Sequence, residues 1–214
     1  MHVAVIGANG GIGRELLPRL ADAGHDPIGV VRDESQFDEI RERGGEPRLG
    51  DLEGEFESAL EGADAVVFTA GSGGDTDWGK TLLIDLWGAR RTIDACLEHG
   101  IDRFVMISAY RASEPLGDPE AMRPYWVAKR CADDFLEASA LDETILRPTA
   151  LTDDEGTGRV SASFEYDGEG GDDIPRADVA QTVVAALETD ETIGETIRLF
   201  GGDTAVEDAV RPER

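Results

Sequence analysis

The chain has only two cysteines, three histidines and two lysines, and aromatic residues fill 6% of its 214 positions. Cys96 and Cys131 fall in helix-like segments without the C-x-x-C spacing of redox or zinc sites, and they read as buried thiols. His2, His25 and His99 are scattered with no second ligand at helical spacing, so no metal site is expected. No run approaches the roughly 18 uninterrupted apolar residues of a membrane span. The N-terminus enters a strand-like segment without a basic, apolar leader, and the expected location is the cytoplasm. Positive charge is scarce as well. With 46 acidic residues against 20 basic ones the formal charge is −26, which disfavours nucleic acid and anionic lipid as partners. The acidity has two readings: an interaction surface, or solubilisation in concentrated salt, where the Debye length shrinks to roughly 3 Å at about 1 M. The even spread of the acids and the depletion of lysine favour the second, a halophilic habit.

What is abundant is glycine, at 26 residues, and short β-branched runs that alternate with amphipathic stretches. That alternation is the signature of βαβ units around a parallel sheet, and the length suits one domain over 1–214. Strands are expected at 2–6, 27–31, 47–49, 65–69, 103–108, 143–146 and 195–200, with helices near 11–23, 36–43, 56–60, 80–99, 124–138 and 176–188. The expected fold is α/β: a doubly wound Rossmann-type parallel sheet of about seven strands with helices on both faces. The irregular stretches 111–123 and 148–173 are candidate substrate lids, and 159–166 has the composition of a short extended pair. The tail from about Asp203 reads as poorly packed.

The segment V-A-V-I-G-A-N-G-G-I-G-R sets Gly7, Gly10 and Gly13 between the first strand and the first helix, with G-x-x-G-x-x-G spacing. Glycine there permits a tight turn, lets backbone N–H groups approach a pyrophosphate, and lets the helix pack close on the strand. After the second strand, V-V-R-D brings Arg32 and Asp33 to the expected position of the adenine ribose. A guanidinium there forks onto a 2′-phosphate, whereas a carboxylate accepts from a free 2′-hydroxyl. Arg32 comes first and Asp33 can begin the next turn, which favours NADP with NAD as the alternative. Gly50-Asp51-Leu52 and Ala70-Gly71-Ser72-Gly73-Gly74 end the third and fourth strands on the same sheet edge, where the adenine ring and the ribose are expected.

Ser108 closes the fifth strand, and Y-W-V-A-K places Tyr125 and Lys129 four apart on one helical face. A neighbouring ammonium and the cofactor's positive nicotinamide are expected to lower the phenol's pKa and fit it for proton exchange with a carbonyl or alcohol, with Ser108 orienting the substrate oxygen. Three tyrosines and two lysines would produce that spacing by chance only about 3% of the time. Trp78, Trp87 and Trp126 fit either a pocket wall or the core.

Taken together, G-A-N-G-G-I-G, V-R, G-D-L, A-G-S-G, S-A-Y, Y-W-V-A-K-R-C-A-D, L-D-E-T-I-L-R-P and I-P-R-A-D-V-A resemble the atypical short-chain dehydrogenase/reductase group, with its NAD(P)-binding and NAD-dependent epimerase/dehydratase-like members. The resemblance spans nearly the whole chain. It implies cofactor contacts at Gly7, Asn9, Gly10, Gly11, Ile12, Gly13, Arg32, Asp51, Leu52, Ala70, Gly71 and Ser72, catalytic roles for Ser108, Tyr125 and Lys129, and passage of Arg147-Pro148-Thr149 beside the nicotinamide. The expected activity is hydride transfer between NADP(H) and a small carbonyl, quinone or flavin-like molecule. The alternatives are a non-catalytic NAD(P) sensor and an NAD-dependent sugar epimerase or dehydratase. The glycine spacing departs from that of the classical members, and the region after Pro148 is shorter than in sugar-nucleotide epimerases. The sequence leaves monomer and homodimer open.

Overall fold

The computed structural model describes residues 1–73, 77–168 and 170–212. Gly74, the end of the loop after the fourth strand, therefore lies outside the described residues. Seven strands run parallel in one sheet: β1 (His2–Ile6), β2 (Asp26–Val31), β3 (Glu46–Leu49), β4 (Ala65–Phe68), β5 (Arg103–Ile107), β6 (Asp142–Pro148) and β10 (Glu195–Gly201). Two short pieces, β7 (Leu151–Thr152) and β9 (Ile174–Pro175), pair separately. β8 (Arg159–Ser163) and β11 (Thr204–Ala205) extend the main sheet antiparallel at the β10 edge, giving the order β11-β8-β10-β6-β5-β4-β1-β2-β3. The sequence direction reverses between β1 and β4, where open α/β sheets leave a crevice for a ligand.

Side-chain alternation builds the three layers. Val3, Val5, Val67 and Val105 pack on one face with Leu16, Leu17 and Leu20 of α1 (Gly11–Asp22) and Val179 and Val183 of α6 (Arg176–Leu187). Ala4, Ile6, Val66, Phe68, Phe104 and Met106 fill the other face, against Ile93 and Cys96 of α4 (Ala89–His99) and Ala132 and Leu136 of α5 (Arg123–Glu137). Each fully buried Val, Leu, Ile, Phe or Met side chain here contributes roughly 1.5–3 kcal/mol. α2 (Phe37–Glu42) covers the β2–β3 edge through Ile40, while the expected helix at 56–60 is a tight 3₁₀ turn over Glu57–Leu60. A third helix, α3 (Trp78–Thr81), leads through a π-helical stretch, Leu82–Gly88, into α4.

The tail departs from expectation. From Asp203 onward it adds β11 and then α7 (Val206–Ala209), and Val206 and Val210 are fully buried in the α1/α6 core. Their i,i+4 spacing puts both methyl pairs on one side of a single helical turn, a period too short to stand out in an acidic sequence.

The two thiols also differ. Cys96 is buried, and desolvation pushes it up to about 12, whereas Cys131 is half-buried. A thiol reagent such as dithiobis-nitrobenzoate is expected to modify one cysteine per native chain, Cys131, and two after unfolding; equal reaction of both in the native state would contradict this packing.

Candidate active site

A cavity of about 780 Å³ opens along the carboxyl ends of β1, β2, β4 and β5. At its centre lies the glycine corner. Gly7 has φ +85°, and a Cβ there would sit 2.7–2.8 Å from the backbone of Ala70, so only glycine lets the loops after β1 and β4 meet. Gly10 caps α1 without a side chain, and the first turn of α1 holds no acidic residue. Its leading N–H groups have no intrahelical acceptor, and with Gly10 and Gly11 exposed they present positive partial charge to the cavity. Gly13 has another duty. It is buried, does not line the cavity, and a Cβ would come within 2.6 Å of the Gly7 and Ala8 carbonyl oxygens, so it sets the helix-to-strand distance. Asn9 and Ile12 line the corner, and Asn9 Oδ1 accepts from Arg14 Nε at 3.0 Å.

One end of the cavity is formed by Val30, Val31 and Arg32 with Gly50, Asp51 and Leu52. Arg32 is exposed and has no ion-pair or hydrogen-bond partner among the described residues. Asp33 is spent on its own turn: it accepts from Ser35 N at 2.8 Å, which holds its carboxyl below the usual range. Asp51 likewise accepts from Glu53 N, shaping the loop after β3. Ala70, Gly71 and Ser72 form the middle of the wall.

The other end brings together Ser108, Tyr125 and Lys129. Pro124 is the second residue of α5, Tyr125 follows in the first turn, and the 3.6-residue period carries Lys129 and then Asp133 along one stripe. Lys129 is buried, donates from Nζ to the Ile107 carbonyl at 2.7 Å, and lies 3.9 Å from Asp85 Oδ1. Asp85 is 1% exposed, sits within the π-helical stretch, and accepts from Ser72 N at 3.0 Å. Tyr125 Oη has no hydrogen-bond partner among the described residues. Its pKa is raised, contrary to the expectation from the spacing: burial is the main cause, and the charges of Asp85 and Asp133 add to it. The neighbouring ammonium is matched by Asp85, so the free phenol holds its proton.

Ser108 is engaged too. Its Oγ donates at 2.7 Å to Asp133 Oδ2, the same oxygen that accepts from Arg147 Nε at 2.9 Å and lies 2.9 Å from Nη2 in an ion pair. Burial pushes Asp133 up, with Arg147 and Ser108 opposing. Arg147-Pro148-Thr149 thus does not line the cavity. Ile145 faces the α5 side of the sheet and Leu146 the other, so alternation turns Arg147 toward α5 and Asp133. Thr149 instead donates to the Asp172 and Leu199 carbonyls. Of the two candidate lids, Met122 and Leu151 reach the cavity, and the segments join where Tyr166 Oη donates to Glu114 Oε2 at 3.0 Å. Trp78 lines the cavity, Trp126 is buried and Trp87 is exposed.

Sequence reasoning missed Asp85, Asp133 and Arg176, the last a cavity-lining residue at the start of α6. Asp133 had a signal, since it continues the Tyr125–Lys129 spacing by one more turn. Asp85 had none in L-L-I-D-L-W-G, which resembles any amphipathic helix carrying one acid.

The strand order, the glycine corner at its reversal and the clustered loops define a Rossmann-type dinucleotide-binding domain. The chain belongs to the NAD(P)H-binding family, whose model matches residues 7–190. It is 45% identical to a Bacillus subtilis protein described as the uncharacterized sugar epimerase YhfK, over 99% of each chain. It is 35% identical to the yeast protein YMR090W of Saccharomyces cerevisiae, over 97% of this chain and 96% of that one. A solved Bacillus halodurans structure provisionally described as an NAD-dependent epimerase/dehydratase superposes with a TM-score of 0.96 at 44% identity, over 98% of each chain. The oxidoreductase ylbE of Lactococcus lactis gives 0.86 at 27% identity, over 98% of this chain and 95% of that one. Membership of the atypical short-chain dehydrogenase/reductase type is therefore established, with a nicotinamide cofactor. Among the described residues no helix is long and apolar enough to cross a membrane.

Proposed function

We propose that the chain is an NADP(H)-dependent oxidoreductase that reduces a small carbonyl, quinone or flavin-like substrate, working in the cytoplasm at high salt. The observation that carries this reading is the arrangement of Tyr125: a phenol that keeps its proton, has no competing hydrogen bond among the described residues, and lines the same cavity as Lys129 and Ser108. The bound nicotinamide would supply the hydride. The diphosphate fits the bare first turn of α1, and the ribose fits the small residues Ala70, Gly71 and Ser72. Tyr125 donates the proton to the substrate oxygen as negative charge develops there. Lys129 is fixed by the Ile107 carbonyl and Asp85, and its charge supports the ribose and the proton donor. Ser108, held by Asp133, lines the same cavity as the phenol and marks the substrate oxygen's position. The cavity must hold both ligands, and a dinucleotide fills most of 780 Å³. That favours a small substrate over a nucleotide-sugar.

Preference for NADP rests on Arg32, which has no hydrogen-bond or ion-pair partner among the described residues, while Asp33 is withdrawn. Titration in concentrated salt is expected to show tighter binding of NADPH than NADH, with Arg32→Ala reducing the ratio by about 10- to 100-fold. An Arg32→Ala protein that kept the wild-type ratio would sink the assignment. A panel of carbonyls, quinones and flavins under the same conditions is expected to yield NADPH oxidation; binding without any turnover would favour the sensor reading.

A further inference from the structure

The corner that receives the diphosphate adjoins a second, smaller cavity of about 350 Å³, and Gly11 and Arg176 line both. The walls of this second space are acidic: Glu15, Asp153, Asp154 and Glu155. Arg19 also lines it but is committed to Glu15, through a 2.7 Å bond to the carboxylate and a 2.6 Å bond to the Glu15 carbonyl. A diphosphate at the glycine corner therefore lies close to four carboxylates, and Arg176 is the cation placed between. The other cations of the main cavity are remote or engaged. Arg32 lies at the adenosine end, Lys80 pairs with Glu53, and Lys129 is held by Ile107 and Asp85.

The local fold sets this residue with some care. β7 and β9 pair in parallel, Leu151 with Ile174 and Thr152 with Pro175, so the next residue of each, Asp153 and Arg176, emerge side by side. Arg176 Nη1 donates to Asp153 Oδ1 at 2.6 Å, a contact whose acidic partner is 90% exposed. The aliphatic stem of Arg176 lies over Gly11, where a Cβ would come within 2.6 Å of its Cδ. Asp178, in the first turn of α6, anchors the far end of the acidic loop by accepting from Thr157 N, Thr157 Oγ1 and Gly158 N. Only one of the five guanidinium donors has a hydrogen-bond partner among the described residues, and that partner is a solvated carboxylate.

We propose that Arg176 is a diphosphate-binding residue held in reserve by Asp153: on binding it passes from the exposed carboxylate to the cofactor's phosphates, and its pairing with Asp153 opposes binding until it does. The exchange is favourable because a solvated surface pair is weak, whereas a guanidinium against phosphate at a helix N-terminus makes charge-assisted, forked hydrogen bonds. The inference rests on placing the diphosphate at the glycine corner and is independent of the choice between NADP and NAD.

Binding is the readout, followed by quenching of tryptophan fluorescence in concentrated salt with NADPH, NADH, ADP-ribose and adenosine 2′-monophosphate. Arg176→Ala is expected to weaken NADPH, NADH and ADP-ribose by a common factor of about tenfold or more, and to leave adenosine 2′-monophosphate, which lacks the diphosphate, unchanged. Asp153→Asn, a change at an exposed side chain, is expected to tighten the three diphosphate ligands, and its gain should vanish in the Arg176→Ala background. Wild-type affinity in Arg176→Ala would overturn the proposal. So would an Asp153→Asn gain that survived without Arg176, since that reports general charge removal. Uniform weakening of all four ligands would also count against it, as the mark of a distorted fold. Loss of the NADPH preference alone, seen in Arg32→Ala, tests the other end of the cofactor and leaves these outcomes distinct. Failure of the wild-type protein to bind any dinucleotide would overturn the cofactor reading and this inference together.

Discussion

Replacing Tyr125 by phenylalanine is expected to lower turnover by about 10²- to 10⁴-fold on whichever substrate the wild type reduces, with cofactor affinity unchanged within about twofold. The ring remains to line the cavity, and only the proton donor is lost. The direction of the phenol's pKa sharpens the test. Burial, then Asp85 and Asp133, raise it, and a donor works while protonated, so the raised value extends the active range upward. Reduction should therefore show no tyrosine inflection between about pH 6 and pH 9, and should fall only as pH climbs toward the elevated value. Asp85→Asn removes one of the raising charges while its amide oxygen can still accept from Ser72 N; the alkaline fall should then begin at lower pH. Full activity in Tyr125→Phe would refute the proton-donor assignment.

The largest effect on stability is expected at Arg147, which is 2% exposed and faces the wholly buried Asp133. Arg147→Met keeps most of the side-chain volume but strands a carboxylate in the core, and breaking such a pair from one side costs about 3–5 kcal/mol. For a chain of this size that corresponds to a melting temperature lower by roughly 10 °C. Part of the penalty is relieved by protonation, because burial already pushes Asp133 up. A carboxyl whose folded pKa is raised favours the folded state at low pH and loses that contribution as pH rises through the folded value. The deficit should thus be greater at about pH 8 than at about pH 5. Adding Asp133→Asn to Arg147→Met should recover much of the loss, since the stranded charge is gone. Calorimetry in concentrated salt is the appropriate measurement, because a formal charge of −26 destabilises the chain by self-repulsion when screening is weak. A pH-independent loss below about 1 kcal/mol would show that the pair is not the internal tie described here.

Much of the site could be read directly. Gly7 and Gly10 announce a corner because few other sequences set three spaced glycines between a β-branched run and an amphipathic helix, and the Tyr125–Lys129 spacing is rare in a chain with two lysines. The pairing of Val3 and Val5 against Ala4 and Ile6 marks a strand buried on both faces. What failed did so for identifiable reasons. Arg147 was expected beside the nicotinamide because the family resemblance implied it, but strand alternation turned it into the buried space under α5, where Asp133 waits one helical turn beyond Lys129. The expected lowering of the Tyr125 phenol followed from two positive charges, the Lys129 ammonium and a bound nicotinamide, whereas the protein's own contribution is set by burial and by acids from α5 and the π-helical stretch.

The sequence alone determined the alternation of strands and helices, the glycine corner, and the chemical kinds of side chain near the ligand, because these depend on period, steric size and local spacing along one element. Only the tertiary structure decided which charges face one another. Asp85 meets Lys129, Asp133 meets Arg147, and Asp153 meets Arg176 across 44, 14 and 23 positions of chain. Electrostatic energy depends on distance through space and on the water excluded between groups, and neither quantity exists until the sheet has folded.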